Sequence, residues 1–289
     1  LNLSPCEEYP NTLYTIPKEK YGMPEDWTPT NATDEYGGEL SLKDALAGSV
    51  NVITARLIDR VHPRNVARLA KSAGIKSDIP EVPAIALGTV DLSLYEMVGA
   101  YATFANKGLQ VEPMMLLKIE DKNGTVLEQF IPNSKEVLSE ESAYVVINLL
   151  EGVTQSGSGI RLRTTGGKYP DNISTGYPYA FKNPIAGKTG TTQNQSDGWF
   201  MGIVPNLATG VWVGGEDRST HFKNITQGQG ASMSLPIWAL YYNKLYADKS
   251  LKISTDEFEK PEKLSIQINC NIIEDEENPE IIIEEDPEF

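Results

Sequence analysis

The sequence has few of the residues that bind transition metals. It contains two cysteines, Cys6 and Cys270, and two histidines, His62 and His221, without a Cys-x-x-Cys pair or a His-Glu-x-x-His motif. This excludes a zinc site of the usual ligand spacing, and no other metal or cofactor is indicated. We expect the two cysteines to be unrelated thiols; the alternative is one disulfide that joins the two ends of the chain.

Positive charge and long apolar segments are also scarce. The 25 Lys and Arg residues are outnumbered by 40 Asp and Glu residues, which gives a net charge of −15. Nucleic acid is therefore not an expected partner, because phosphate binding needs a positive surface. The uncharged run over 226–243 contains Gln, Asn, Ser, Gly and Pro, and is too polar to cross a bilayer. Because the chain begins at Leu1 without a leader segment, we expect a fragment of a longer protein.

The acidic charge is concentrated near the C-terminus. Residues 256–289 carry 13 acids and two lysines, a net charge of −11, which leaves −4 for residues 1–255. A charge imbalance of this kind is typical of a solvated segment. We therefore predict a folded domain over 1–255 and an acidic, flexible tail over 256–289.

Hydrophobic spacing predicts helices first and strands later. The helices are expected from Ser41, over 50–61, from Pro63, from Ser93 to about Gly108, over 139–151 and over 236–246. A hairpin is expected around 121–124, a long loop over 153–183, and an antiparallel meander over 185–192, 198–204 and 209–214. This order indicates an α+β fold in which a helical lobe packs against an antiparallel sheet. We expect the functional site in the groove between them.

The segment Gly187–Thr192 contains Gly-Lys-Thr but does not fit a phosphate-binding loop. That motif needs glycine at position 182, which is lysine, and a helix after the Lys-Thr pair. A strand that lines a groove fits better. Threonine hydroxyls and an ammonium group suit a carboxylate ligand, and Gly190 lets another backbone approach closely. Most isolated Lys-Thr-Gly triplets are ordinary surface strands, so a second signal is needed.

The second signal is Ser49-Val50-Asn51, which lies 139 residues before Lys188. By itself this triplet is an ordinary helix cap. Ser-x-Asn in a helical region, followed much later by Lys-Thr-Gly on a strand, is part of the motif set of penicillin-binding proteins and β-lactamases. The chain resembles the transpeptidase domain of bifunctional (class A) penicillin-binding proteins over about residues 1–248, less 164–183. The resemblance extends through residues 3–6, 84–89, 93–108, 119–127, 138–152 and 187–214.

One departure from the family pattern concerns its Ser-x-x-Lys motif. No serine in this chain has lysine three positions later, and Ser41, the nearest miss, has Asp44 there. In the family that motif precedes a segment that resembles residues 1–6. We therefore expect the nucleophilic serine and the lysine base to lie upstream of this chain, and the fragment itself to be inactive.

The resemblance implies a penicillin-binding protein or serine β-lactamase-like fold and acyl transfer at a serine. A stem peptide that ends in D-Ala-D-Ala would lose its last residue, and an amine would capture the acyl-enzyme to form a peptidoglycan cross-link. In this scheme Ser49 relays a proton, Asn51 binds the substrate amide, and Lys188 supplies positive potential. Thr189 and Thr191 hold the terminal carboxylate, and the Thr191 backbone N–H forms half of the oxyanion hole.

The resemblance also implies partners and a location. Stem peptides and β-lactam antibiotics would be the ligands, and Gly190 would be part of the substrate-binding strand. The domain would lie on the extracytoplasmic, periplasmic face of the cytoplasmic membrane, anchored by a segment not in this chain and preceded by a glycosyltransferase domain. The alternatives are a β-lactamase or D,D-carboxypeptidase of the same fold, or a non-catalytic penicillin sensor or scaffold.

Overall fold

The computed structural model describes residues 3–164 and 177–270. The helices are α1 Lys18–Tyr21, α2 Leu42–Ala47, α3 Asn51–Val61, α4 Pro63–Ser72, α5 Leu94–Ala105, α6 Glu140–Gln155, α7 Ile225–Gly228 and α8 Gly230–Ala247. The strands are β1 Glu8–Pro10, β2 Glu39–Ser41, β3 Leu109–Val111, β4 Lys118–Glu120, β5 Val126–Gln129, β6 Ser134–Glu136, β7 Ala186–Thr191, β8 Asp197–Val204 and β9 Leu207–Gly214. Every helix within these residues is too short or too polar to cross a lipid bilayer.

The main sheet is the predicted antiparallel meander, in the order β7-β8-β9. Lys188 on β7 lies opposite Met201 on β8, which fixes the register. Phe200 on β8 is buried and packs edge-to-face against Trp238 on α8. A Cβ atom on Gly202 would overlap the Trp238 ring, so only glycine lets α8 lie this close to the sheet. The α+β prediction is confirmed.

The predicted helix starts in the first half of the chain are also confirmed. The Ser41 hydroxyl accepts the Asp44 N–H at the start of α2, and Ser93 with Glu96 forms a capping box at the start of α5. Helix α4 is only partly buried. Leu69 is 42% exposed, whereas Ala67 is buried, because only part of this helix is covered by neighbouring elements.

Two boundaries in the second half were predicted wrongly. Helix α8 begins at Gly230, six residues before Pro236, which lies inside the helix. A Cβ atom on Gly230 would collide with the backbone carbonyl oxygens of Gly190 and Trp199, so contact with the sheet sets this start. Part of the predicted loop over 153–183 is helical, because α6 continues to Gln155 and a 3₁₀ turn covers Ile160–Arg163. Residues 165–176 of that loop lie outside the described residues.

The prediction for the cysteines is wrong, and the start of the predicted tail has a buried contact that the sequence did not indicate. Cys6 and Cys270 form a disulfide, although 264 residues separate them. Phe258 is buried in a cluster with Ile203 on β8, so the predicted tail is anchored to the domain at this residue, while most residues over 256–270 are exposed as expected. The acidic composition of this segment gave no indication of the buried Phe258 or of the Cys6–Cys270 disulfide. The rest of the predicted tail, 271–289, lies outside the described residues.

Candidate active site

The end of α2 and the middle of β7 bring the two sequence triplets into contact. Ser49 adopts a left-handed conformation with φ 55° between α2 and α3, which turns the chain sharply there. The Lys188 ammonium donates to the Ser49 hydroxyl and to the Thr189 carbonyl oxygen, the latter at 3.2 Å. Residues that are 139 positions apart in the sequence therefore share one site.

The position of Lys188 changes its acidity. Burial lowers the pKa of Lys188 to about 8, because an ammonium loses solvation inside the protein. An amine with this pKa is present in both protonation states near neutral pH. Its proton lies next to the Ser49 hydroxyl, so the pair is suited to proton transfer as well as to attraction of an anion.

Ser158 is a further polar residue of the site that sequence analysis missed. Its hydroxyl oxygen lies 2.7 Å from the Thr189 hydroxyl oxygen, and its N–H donates to the Ala47 carbonyl oxygen at 3.0 Å. Ser158 thus bridges α2 and β7. A Cβ atom on Gly157 would collide with Ala47, which explains the glycine before it. The Gly-Ser-Gly sequence after α6 could have indicated a close contact here, but it lies within the segment that is predicted as a long loop.

Thr191 and Gly190 lie against the start of α8. The Thr191 hydroxyl accepts the N–H of Gly230, the first residue of α8, at 3.0 Å. The N-terminal end of a helix carries partial positive charge and favours a nearby anion. The Thr191 hydroxyl still has its own proton to donate after accepting from Gly230. This end of β7 therefore offers a hydroxyl donor beside a positive helix end.

Asn51 is held by the loop before β2 and not by β7. Its side-chain amide donates to the Thr30 carbonyl oxygen at 2.8 Å, and the neighbouring Val52 N–H donates to the Asn31 side chain. The structure thus brings Ser49 and Lys188 into direct contact and places the Ser158 hydroxyl against that of Thr189. It places Asn51 next to Ser49 in the chain, with its amide engaged elsewhere.

The two histidines have other neighbours. His62 lies between α3 and α4, where its Nδ1 is 3.3 Å from the Tyr21 hydroxyl, and the His221 Nδ1 is 3.0 Å from the Phe222 carbonyl oxygen. Over residues 3–164 and 177–270, no group of three or more His, Cys, Asp or Glu side chains is arranged to hold a metal ion. The groups that the site brings together are hydroxyl groups and one lysine.

Comparison with known sequences identifies relatives of the chain. The family described as penicillin binding protein transpeptidase domain matches residues 5–224. Penicillin-binding protein 1A of Aquifex aeolicus is 32% identical over 248 residues, which cover 85% of this chain and 31% of the relative. Penicillin-binding protein 1A of Clostridium novyi is 33% identical over 201 residues, covering 68% of this chain and 22% of the relative. The chain thus spans about a third or less of these relatives.

Comparison with solved structures gives the same fold. Penicillin-binding protein 1A from Haemophilus influenzae has a TM-score of 0.75 at 24% identity, with 91% of this chain and 41% of that chain covered. PonA1 from Mycobacterium tuberculosis, solved with penicillin V, has a TM-score of 0.72 at 23% identity, with 93% and 70% covered. Both likenesses concern the arrangement of helices and sheet described above.

Proposed function

The chain belongs to the penicillin-binding protein transpeptidase domain family, and we propose that it forms the substrate-holding side of a peptidoglycan D,D-transpeptidase site. The family and the fold predicted from the sequence are confirmed by this match and by the structural neighbours. The proposed ligands are stem peptides that end in D-Ala-D-Ala, and β-lactams that imitate this end. The proposed location is the extracytoplasmic face of the bacterial membrane.

The observation that carries the proposal is the contact between Lys188 and Ser49. In an acyl transfer that expels an amine, the leaving nitrogen must receive a proton. The Ser49 hydroxyl can donate its proton to this nitrogen and then take one from Lys188. The pKa of Lys188, lowered to about 8, allows it both to donate and to accept a proton near neutral pH. Before it gives up its proton, the positively charged Lys188 also favours an anionic substrate.

The terminal carboxylate is assigned to Thr189 and Thr191. The Thr189 and Ser158 hydroxyls together hold two protons and use one between themselves, which leaves one to donate. Thr191 adds a second donor next to the start of α8. Gly190 between them lets the substrate backbone lie close to the strand. In the same scheme Asn51 contacts the substrate amide with the N–H of its side chain that the bond to Thr30 leaves free.

Attack on the substrate carbonyl needs a nucleophile, and these 289 residues do not contain the Ser-x-x-Lys motif that supplies it in the family. No serine has lysine three positions later. In the family scheme a serine attacks the carbonyl, the Thr191 N–H stabilises the oxyanion, and D-alanine leaves before an amine takes the acyl group. Loss of one oxyanion donor costs roughly 3–4 kcal/mol, and loss of the nucleophile removes nearly all catalysis.

The first experiment treats the 289-residue chain and the complete gene product with a fluorescent penicillin. We expect a stable covalent adduct on the gene product and none on the 289-residue chain. A stable adduct on the 289-residue chain would refute the prediction that it is inactive. A gene product without any adduct would refute the transpeptidase proposal and leave the non-catalytic scaffold.

The second experiment locates the chemistry at Lys188. In the gene product we expect Lys188→Ala to slow acylation by about 10²–10⁴-fold, the range typical of a positioned acid or base. The matched control is Lys182→Ala, because Lys182 is exposed and lies just before β7. Equal acylation rates in the two variants would remove Lys188 from the mechanism.

A β-lactamase is distinguished by turnover. A transpeptidase keeps the acyl-enzyme until an amine arrives, whereas a β-lactamase hydrolyses it with water. The gene product is therefore incubated with a chromogenic cephalosporin in excess. We expect at most one equivalent to be consumed, and continued turnover would favour a β-lactamase.

A further inference from the structure

The last described segment of the chain runs from the main sheet to the N-terminal segment. We call residues 252–270, which follow the 3₁₀ turn Lys249–Leu251, the strap. Its first part is pinned at the β8–β9 turn, where the Asn206 side chain donates to the Lys252 carbonyl oxygen at 2.8 Å and accepts the Ser254 N–H at 2.9 Å. The strap thus starts on the sheet that carries Lys188.

The middle of the strap packs between the sheet and the helices. Phe258 is buried in one cluster with Ala186 on β7, and Leu46 on α2 contacts the same cluster. Lys107 bridges the neighbouring Glu259, at 2.6 Å, to Glu140 at the start of α6, at 3.1 Å. Phe258 of the strap therefore packs in a cluster to which β7, the strand that carries Lys188, and α2, the helix that precedes Ser49, both contribute.

The end of the strap is fixed to α6 and to the N-terminal segment. The Glu141 carboxylate accepts the Ser265 hydroxyl at 2.9 Å and the Ile266 N–H at 3.2 Å. The Ser4 hydroxyl donates to the Gln267 carbonyl oxygen at 2.7 Å, and Cys270 is bonded to Cys6. These contacts join the strap to the N-terminal segment at several points.

The N-terminal segment in turn holds the first turn of α2. The Pro5 carbonyl oxygen accepts the Lys43 N–H at 3.0 Å, and the Glu7 carbonyl oxygen accepts the Leu42 N–H at 3.1 Å. Cys6 lies between these two acceptors. A helix of six residues is too short to be stable by itself, so α2 depends on such external contacts. Its other end leads directly to Ser49.

We propose that the strap, closed by the Cys6–Cys270 disulfide, is a covalent brace that holds α2 and Ser49 against β7, and that a dithiol can open it. The brace connects the sheet side of the site to the helix side without using any residue assigned to the substrate. It makes the geometry of the Ser49–Lys188 pair dependent on the redox state of two cysteines outside the site.

The chemistry of opening is thiol–disulfide exchange with a dithiol as the reductant. Cys270 is exposed, whereas Cys6 is half-buried. A reagent thiolate attacks the Cys270 sulfur, the bond to Cys6 breaks, and Cys6 leaves as a thiolate. The second reagent thiol then displaces Cys270 and closes a disulfide in the reagent. Two electrons pass to the two cysteines, and the two protons of the dithiol end on their sulfurs.

The test compares amide hydrogen exchange in the 289-residue chain before and after dithiothreitol. We expect exchange to accelerate by about tenfold or more in the strap over 256–266 and also in α2 over 42–49. The Cys6→Ser/Cys270→Ser double variant should show the fast rates without dithiothreitol and no further change with it. If that variant fails to fold, the reduced wild-type chain still gives the answer.

A variant at the other end of the brace separates the strap from the disulfide. Phe258→Ala keeps the disulfide and removes the apolar anchor, so we expect faster exchange in 42–49 here too. Unchanged exchange in α2 after reduction, with a loosened strap, would overturn the proposal, as would two free thiols in the untreated chain. None of these readouts depends on acylation, so they stand apart from the test of the transpeptidase proposal.

Discussion

The two sides of the candidate site are held in place by different means. Lys188 lies on a three-stranded sheet whose neighbour α8 contributes Trp238 and Tyr242, stacked at 3.6 Å between ring centroids and fully buried. Ser49 follows a six-residue helix that is fixed by the N-terminal segment, by Ser158 and by the disulfide-closed strap. The sheet side rests on a local aromatic core, and the helix side rests on ties between distant segments.

This difference predicts different responses to damage. Removing a core side chain leaves a cavity and lowers the stability of the whole fold. Removing a tie between distant segments loosens one element first, because regions differ in their local free energy of opening. Substitutions on the sheet side are therefore expected to lower the stability of the whole fold, and substitutions on the helix side to increase local opening first.

The largest effect is expected for Trp238→Ala on the sheet side. Trp238 is fully buried, so its truncation should lower the free energy of unfolding by about 3–5 kcal/mol. The matched control is Trp212→Ala on β9, where the side chain is 42% exposed and the loss should stay below about 1 kcal/mol. Urea unfolding followed by circular dichroism measures both. Similar losses would show that the aromatic core does not dominate this side.

The sheet side could be predicted well from the sequence because its signals are local. Alternating residues and turn signals gave all three strands within a few residues of their observed bounds. The start of α8 could not be predicted, because it depends on the contact between Gly230 and the backbone of β7 and β8. A proline within the helix pattern suggested a later start, and tertiary packing overrode it.

The next effect concerns the disulfide on the helix side. Cys270→Ser should lower the free energy of unfolding by about 2–5 kcal/mol, because the bond closes a very long loop and restricts the unfolded chain. Ser250→Ala in the 3₁₀ turn Lys249–Leu251 is the control, with an expected change below about 1 kcal/mol. Urea unfolding with and without reductant measures the effect. Reductant that leaves the wild-type midpoint unchanged would contradict the comparison.

The helix side was predicted less completely because its ties are non-local. The cap at Ser41 was predictable from three residues. The bond between Cys6 and Cys270, the contact of Glu141 with Ser265, and the Ser158–Thr189 pair join segments without any shared sequence pattern. The proximity of Ser49 and Lys188 was expected only through the family resemblance, since each triplet by itself is ordinary.

In contrast to the two substitutions above, Lys188→Met is expected to raise the free energy of unfolding. The pKa of Lys188 is lowered from 10.5 in the unfolded chain to about 8 in the fold, so the folded state binds this proton less well. Wild-type stability should therefore rise with pH between about 8 and 10.5, and a charged Lys188 lowers it below pH 8. Lys188→Met should be more stable at pH 7 by about 1–3 kcal/mol and lack this rise.

The measurement for Lys188 is urea unfolding at a series of pH values. Lys182→Met is the matched control, because Lys182 is an exposed lysine just before β7. A Lys188→Met chain that is less stable at pH 7 would show that the bond to Ser49 outweighs the cost of burying the charge. The site would then stabilise the fold instead of straining it.

The smallest effect separates two helix caps that have the same chemistry. Ser41 caps the six-residue α2, and Ser139 caps the 16-residue α6; each hydroxyl accepts a backbone N–H. Replacement by alanine should cost about 1 kcal/mol at either position. Only Ser41→Ala should also speed amide exchange over 46–49. In a helix of six residues the first and last turns overlap, so destabilising the first turn also destabilises the last. Equal exchange over 46–49 in the two variants would mean that the Ser41 cap does not contribute to holding Ser49.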